Sequence, residues 1–479
     1  MSRQETREIT EIILKAAAKA RRETSGEPEP EMTRAVEWPV TLTIGPGLEG
    51  AIACESEIGY VNGTKGRLIY RGYDIFDLAS DSTFEEVSFL LLKGHLPTAP
   101  ELEAFKAKLA AYRHVPRTLR RLQSFPVEEM NAMAALSLGT TLLRREVSYV
   151  DRDMARPSPD SAITADEDSI PMEIPPYGEA HAIYEFRRLE PRRLRGAQRR
   201  RAVEQHLTGG SEAEVDPHLI AAVATIAAAI ARLREGRLPV EPDPELSHAG
   251  NFLYMITGRR PTPVEERMMD VCLILHADHG MNASTFATMV VASTLSDVYQ
   301  SIGAGIAALT GPLHGGANEQ VLKTLAEIGD PRRVKEWYRA ARAKKTKIMG
   351  FGHRVYKSQD PRARILAPLA RYLARTNRAM RPLLRTAEAL EREVVASLGK
   401  TKGIYANVDF YSGLVYRGMG IPPEMFTPIF AVARVSGWVA RVREYLKNNR
   451  IFRPRAMYVG PFDKEYVPIK QRRRPRGKR

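Results

Sequence analysis

The sequence predicts a mainly α protein with a short β-hairpin region near its N-terminus. Three observations carry that prediction. Alanine-rich stretches such as "DPHLIAAVATIAAAIARLREG" space their apolar residues at helical intervals. Only 7% of the chain is aromatic, which suits closely packed helices better than a β-sandwich. No strand–helix–strand alternation repeats along the chain. With 479 residues, 43% of them hydrophobic, the chain has material for a large core and more than one domain.

The elements follow in order. The first thirty residues predict a helix and then a Pro/Glu linker. From about Thr41, "GLEGAIACESEIGYVNGTKGRLIYRGYDIFDLA" alternates, with turn signals at Asn62-Gly63 and Gly66, and predicts short strands or a hairpin. "STFEEVSFLLLKGHLP" opens a helix that Ser82 or Thr83 can cap and that ends before Pro97. Residues 151–216 hold an acidic, proline-rich run and then an arginine-rich one, and predict a loosely ordered insertion. Helical order is expected again from Asp216. "TPVEERMMDVCLILHADH" starts a helix with Thr262 as N-cap, Pro263 in the first turn and Glu265 completing a capping box.

Composition narrows the function. Cys54 and Cys272 are the two cysteines, too few for a disulfide framework or a cysteine-based zinc site, as in a reducing cytoplasm. Charge or glycine interrupts the apolar runs, so no membrane span is expected. The N-terminal segment lacks a secretory apolar core and carries Glu5, Glu8 and Glu11, unlike an acid-poor presequence. These features predict a cytoplasmic protein. The formal charge of +15 fits nucleic acid or anionic small molecules. Much of the excess lies in Arg187–Arg201 and in the tail "QRRRPRGKR". Neither carries an aromatic for base stacking, so nucleic acid is disfavoured.

Four clusters can carry chemistry. "HADHGMNAS" holds His276, Asp278, His279 and Asn282; a metal pair is one reading and a polar helix end another. "GPLHGGAN" sets His314 among Gly311, Gly315 and Gly316, where the backbone must turn or approach a ligand. "GFGHRVYKSQDPRA" places Gly350, Gly352 and His353 beside Arg354, Lys357 and Arg362, a pattern suited to an anion. "NVDFYSG" flanks Asp409 with apolar residues; burial would raise its pKa and suit a general base, while helix capping is the plain alternative. Arg434 shares an apolar helix face with Phe430 and Trp438, where a guanidinium needs an anion. Arg453, before Pro454, adds another possible carboxylate clamp. Arginines, histidines and one carboxylate describe a site for a compact di-acid and carbon acid–base chemistry. The sequence has no nucleophile elbow, dinucleotide fingerprint or Walker loop.

These motifs, in this order with "RPRA.YVG" and the N-terminal "YRGYDIFDLA", resemble citrate synthase of the shorter bacterial and archaeal type. The resemblance covers about residues 41–143 and 217–469. It implies a helical two-domain homodimer: a large domain over 41–317 with the insertion 151–216, a small domain over 318–430, and a return to the large domain over 431–470. Residues 1–40 would be helix and partly disordered linker, and 471–479 a basic tail. By motif matching it implies His314 as the enolising histidine, His353 as the carbonyl-polarising one and Asp409 as the base. Oxaloacetate would meet His279, His353, Arg362 and Arg434, with Arg453 reaching the partner's active site. Coenzyme A would meet Gly350, Gly352, Arg354 and Lys357. An acyltransferase of this Si-type implies no metal and no cofactor beyond the thioester substrate. Gly280 departs from the family's frequent Glu. A 2-methylcitrate synthase using propionyl-CoA is the neighbouring reading, and a non-catalytic polyanion-binding protein the distant one.

Overall fold

The structure is a computed structural model, and it describes residues 2–24, 44–143, 212–456, 459–460, 466 and 468–469. The linker, the insertion as far as residue 211 and the basic tail lie outside the described residues. The N-terminal helix α1 (Ser2–Thr24) buries Ile9, Ile13, Ala17 and Ala20, a stripe at helical spacing. Three short antiparallel strands follow, β1 (Gly59–Asn62), β2 (Arg67–Tyr70) and β3 (Tyr73–Asp74), in the order β1-β2-β3. The register pairs Gly59 with Tyr70 and Asn62 with Arg67. Asn62 Oδ1 accepts from the Thr64 and Lys65 amides at 3.1 and 2.9 Å and so preforms the β1–β2 turn.

Helices make up most of the rest of the described chain: α2 (Ile75–Asp81), α3 (Phe84–Lys93), α4 (Ala99–Tyr112), α5 (Pro116–Leu122), α6 (Ala132–Leu142), α7 (Glu212–Arg234), α8 (His248–Thr257), α9 (Pro263–His276), α10 (Ala283–Ser293) and α11 (Val298–Leu309). After a glycine-rich junction come α12 (Ala317–Ile328), α13 (Val334–Ala343), α14 (Pro361–Thr376), α15 (Met380–Val394), α16 (Val408–Gly418) and α17 (Phe426–Leu446). The helix starts follow their local chemistry. Thr83 and Thr262 each form a complete capping box, and Gly94 closes α3 in the left-handed region at φ 88°.

Two sequence expectations need correction. Helical order starts at Glu212, ahead of the expected end of the insertion at 216. Asp216 is buried there because Arg443 pairs with it, Nη2 to Oδ1 at 2.7 Å. The expectation of no membrane-length span also fails by length and composition. Glu214–Arg234 is long and apolar enough to cross a membrane, and nearly all of that stretch is buried inside the fold. Alanine and isoleucine cover it all round because α4, α6, α8 and α17 surround it.

Helix α17 is the central pillar, buried continuously from Phe426 to Arg443. Burying a side chain such as Val439 or Phe426 contributes about 1.5–3 kcal/mol. Small residues let its neighbours approach. A Cβ on Gly305 of α11 would lie 2.3 Å from Thr288 Oγ1 and 3.1 Å from the Trp438 ring. This packing fixes the backbone from which the polar side chains of the site project.

Candidate active site

Chain breaks between helices meet around the middle of α17. The α9–α10 turn brings His279, the α11–α12 junction brings His314, and the segment Gly350–Asp360 brings His353. The first turns of α14 and α16 bring Arg362 and Asp409. Arg362 and Arg434 both act electrostatically on His276, His279 and Asp409, so these groups share one field.

The glycines of the α11–α12 junction have unequal roles. A Cβ on Gly315 would sit 2.1 Å from the Leu309 carbonyl oxygen, so no side chain fits there. Gly311 meets only ordinary contact and Gly316 faces open space. Ser284, in the first turn of α10, sets the state of His314. Its hydroxyl is 2.8 Å from His314 Nε2 and its amide donates to the same nitrogen at 3.2 Å. Nε2 is therefore an acceptor, which leaves a neutral ring with its proton on Nδ1. Burial, then Arg434, lowers the His314 pKa to about 4.

His353 has the opposite tautomer. Its Nδ1 accepts from the Val355 and Tyr356 amides at 3.0 and 3.2 Å, so the ring proton sits on Nε2. Burial, then Arg362, lowers its pKa to about 4. The His279 ring lies 5.1 Å from the His353 ring, and its Nε2 is 3.1 Å from the Tyr356 hydroxyl. Burial, then Arg362, drives the His279 pKa well below its usual value. All three imidazoles are neutral near pH 7.

Two guanidiniums face them. Arg362 is clamped by Asp360, Nε to Oδ1 at 3.0 Å and Nη2 to Oδ2 at 2.8 Å. Asp360 Oδ2 also accepts from the Val408 amide at 3.1 Å, tying α14 to α16. Burial opposes the charge on Arg362, but the Asp360 charge and hydrogen bond together with Tyr356 and Tyr70 outweigh it, and the pKa rises. Arg434 Nε donates to the His276 carbonyl at 2.5 Å, and its Cζ lies 4.7 Å from the Phe430 ring centroid. Its Nη2 is buried and has no hydrogen-bond partner among the described residues. Burial lowers the Arg434 pKa to about 10, which leaves the side chain charged at pH 7. An incompletely paired buried cation is costly unless an anion joins it.

Asn407 caps α16 by accepting from the Asp409 amide at 3.0 Å, so Asp409 is not the cap. Asn407 also donates from Nδ2 to the Gly352 carbonyl at 2.9 Å, which couples this helix to the His353 loop. Asp409 as a whole is half-buried, yet its Oδ1 is sealed and lacks a partner among the described residues. Burial, resisted by Arg362, raises its pKa to about 7. A carboxyl that titrates near neutrality can exchange a proton with a weak carbon acid.

The remaining predicted residues divide. Gly350 and Gly352 adopt φ of 82° and 77°, and a Cβ on Gly350 would meet Val321 at 2.6 Å. Arg354 and Lys357 are exposed beside them. Arg453 is exposed beyond α17 and does not join the cluster within this chain. His276 and His279 share no helix face, because α9 ends at His276. His276 packs against Phe430 with Nδ1 2.7 Å from the Cys272 carbonyl oxygen. Among the described residues no three His, Cys, Asp or Glu side chains gather as a metal site. Sequence reasoning missed Ser284, Tyr356 and Asp360. Only Asp360 carried a local signal, an Asp before Pro361 at a helix start.

The family described as citrate synthase, C-terminal domain, matches residues 47–455. The citrate synthase of Acidithiobacillus ferridurans is 41% identical over 433 residues, covering 89% of this chain and 98% of that protein. The crystal structure of citrate synthase from Pyrobaculum aerophilum matches with a TM-score of 0.73 at 40% identity, over 92% of this chain and all of that one. Citrate synthase from the archaeon Thermoplasma acidophilum, in ternary complex with carboxymethyl coenzyme A and oxaloacetate, matches with a TM-score of 0.73 at 32% identity. It covers 90% of this chain and 100% of that one.

Proposed function

The chain belongs to the citrate synthase family, and from that footing we propose that it condenses acetyl-CoA with oxaloacetate and hydrolyses citryl-CoA to citrate and CoA. The observation that carries the proposal is Asp409, whose Oδ1 is sealed without a partner among the described residues and whose pKa burial raises to about 7 in the field of Arg362 and Arg434.

The thioester methyl group is a weak acid. Its deprotonation needs a base and a donor for the oxygen on which charge develops. Asp409 takes the proton, and neutral His314 donates its Nδ1 proton to the enolate oxygen. Arg434 and Arg362 hold the oxaloacetate carboxylates, and the empty donor on Arg434 is met by one of them. His353 donates from Nε2 to the ketone and makes its carbon a better electrophile. His279 completes the pocket. Attack of the enolate carbon on the ketone carbon forms the new bond, and water then cleaves the thioester. The exposed Arg354 and Lys357 meet the coenzyme A phosphates, with Gly350 and Gly352 allowing close backbone approach. The cleft between residues 318–430 and the remainder closes over the substrates and excludes water during condensation. The enzyme works as a cytoplasmic homodimer, with Arg453 supplied across the interface and no metal or added cofactor.

Thiol release from acetyl-CoA tests the proposal. Release that depends on oxaloacetate is expected. Release independent of oxaloacetate, or faster turnover of propionyl-CoA, would overturn it.

A further inference from the structure

The β1–β2 turn is packed against the segment that carries His353. The Gly63 carbonyl accepts from the Lys357 amide at 3.0 Å, the Ser358 amide at 3.3 Å and the Ser358 hydroxyl at 3.0 Å. The approach leaves no room for side chains. A Cβ on Gly63 would lie 2.1 Å from the Val355 carbonyl oxygen, and one on Gly66 would lie 2.5 Å from that of Gln359. On another side, a Cβ on Gly403 would lie 2.6 Å from the Lys357 carbonyl oxygen. Residues 355–359 are thus gripped by glycine turns, one of which Asn62 preforms.

The gripped backbone is the backbone that sets His353. The Val355 and Tyr356 amides are the donors to Nδ1, and Tyr356 also carries its hydroxyl to His279. We propose that the turn Asn62–Gly66 is a positioning element for the reaction, holding residues 355–358 so that His353 presents its Nε2 proton to the substrate ketone. This rests on the function proposed above. Gly63 acts through His353 and does not touch substrate. If the segment relaxes, the two amides leave Nδ1, the ring turns, and the ketone loses its donor. Misplacement of a catalytic group by about 1 Å can cost about 10²-fold in rate.

Two variants of the full-length protein test this. Gly63→Ala adds the obstructing Cβ, at a position that does not adopt positive φ, so backbone preference is not the variable. Ser358→Ala removes a single hydrogen bond to the Gly63 carbonyl. Steady-state rates, thermal unfolding and the carbon-13 resonance of the ketone in bound [2-13C]oxaloacetate are measured. Gly63→Ala should lower kcat about 10²-fold and Ser358→Ala about threefold. In both, the ketone resonance should move toward that of free oxaloacetate. A folded variant with unchanged kcat and an unshifted resonance would overturn the proposal. So would a lowered melting temperature with the resonance unmoved, since that is what a purely structural contact gives. If Gly63→Ala fails to fold, Ser358→Ala decides alone. Wild-type protein that releases no thiol with oxaloacetate would instead sink the function reading.

Discussion

Replacing Asp409 with Asn should make the protein more stable and nearly inactive, and the gain in stability should depend on pH. Burial raises the carboxyl from 3.8 to about 7. A difference of about 3 units at 1.36 kcal/mol each gives up to about 4 kcal/mol. The sign follows from proton counting. The folded state holds the Asp409 proton up to about pH 7, whereas the unfolded chain loses it near pH 4. Stability from this group is therefore present in full below pH 4 and lost as pH rises through 7. Asp409→Asn mimics the protonated form and does not titrate. Urea unfolding of both proteins at several pH values between 4 and 8 reads the difference. Its excess stability should be smallest at pH 4 and grow by up to about 4 kcal/mol at pH 8. The same change removes the base, so kcat should fall by about 10²–10⁴-fold. A stability difference that stays flat from pH 4 to 8 would refute the buried, raised carboxyl and with it the argument for Asp409 as base.

Other expectations follow from single contacts. Arg434→Met removes the incompletely paired buried cation, so the fold should tolerate it while the Kd for oxaloacetate rises about 10–100-fold; calorimetric titration reads both partners of that comparison. Oxaloacetate at a hundred times the wild-type Kd should stabilise wild type by about 2.7 kcal/mol and Arg434→Met by only about 0.4–1.4 kcal/mol at the same concentration. Ser284→Ala takes one of the two groups at His314 Nε2, so kcat should drop about tenfold with oxaloacetate binding unchanged. Gly305→Ala forces a methyl to within 2.3 Å of Thr288 Oγ1 and should cost about 1–3 kcal/mol, seen as a lower urea midpoint at constant slope.

Much of the fold was legible because its signals are local. Thr262, Pro263 and Glu265 form their capping box wherever that helix lies, and the alternation around Asn62-Gly63 announces a hairpin without its partners. The burial of Arg434 could be argued from Phe430 and Trp438 on the same helix face. The start of α7 was placed at Asp216, four residues late, and the buried pairing of Asp216 with Arg443, more than two hundred positions away, has no local signal. Length and apolarity made the core helix α7 satisfy a membrane criterion, and only the helices around it show which surface it meets.

By itself, the sequence determined the helices, their caps, the glycine breaks and the reactive residue types in their order, because each depends on neighbours within a few positions. The tertiary structure decided ionisation and tautomer. His314 and His353 read alike as histidines beside glycines, yet Ser284 makes Nε2 the acceptor in one and the Val355 and Tyr356 amides make Nδ1 the acceptor in the other. Asp409 needed the enclosure of its Oδ1 to bring its proton near neutrality, against the pull of Arg362 and Arg434. Desolvation and charge act through space, so they belong to the folded arrangement and not to any stretch of the chain.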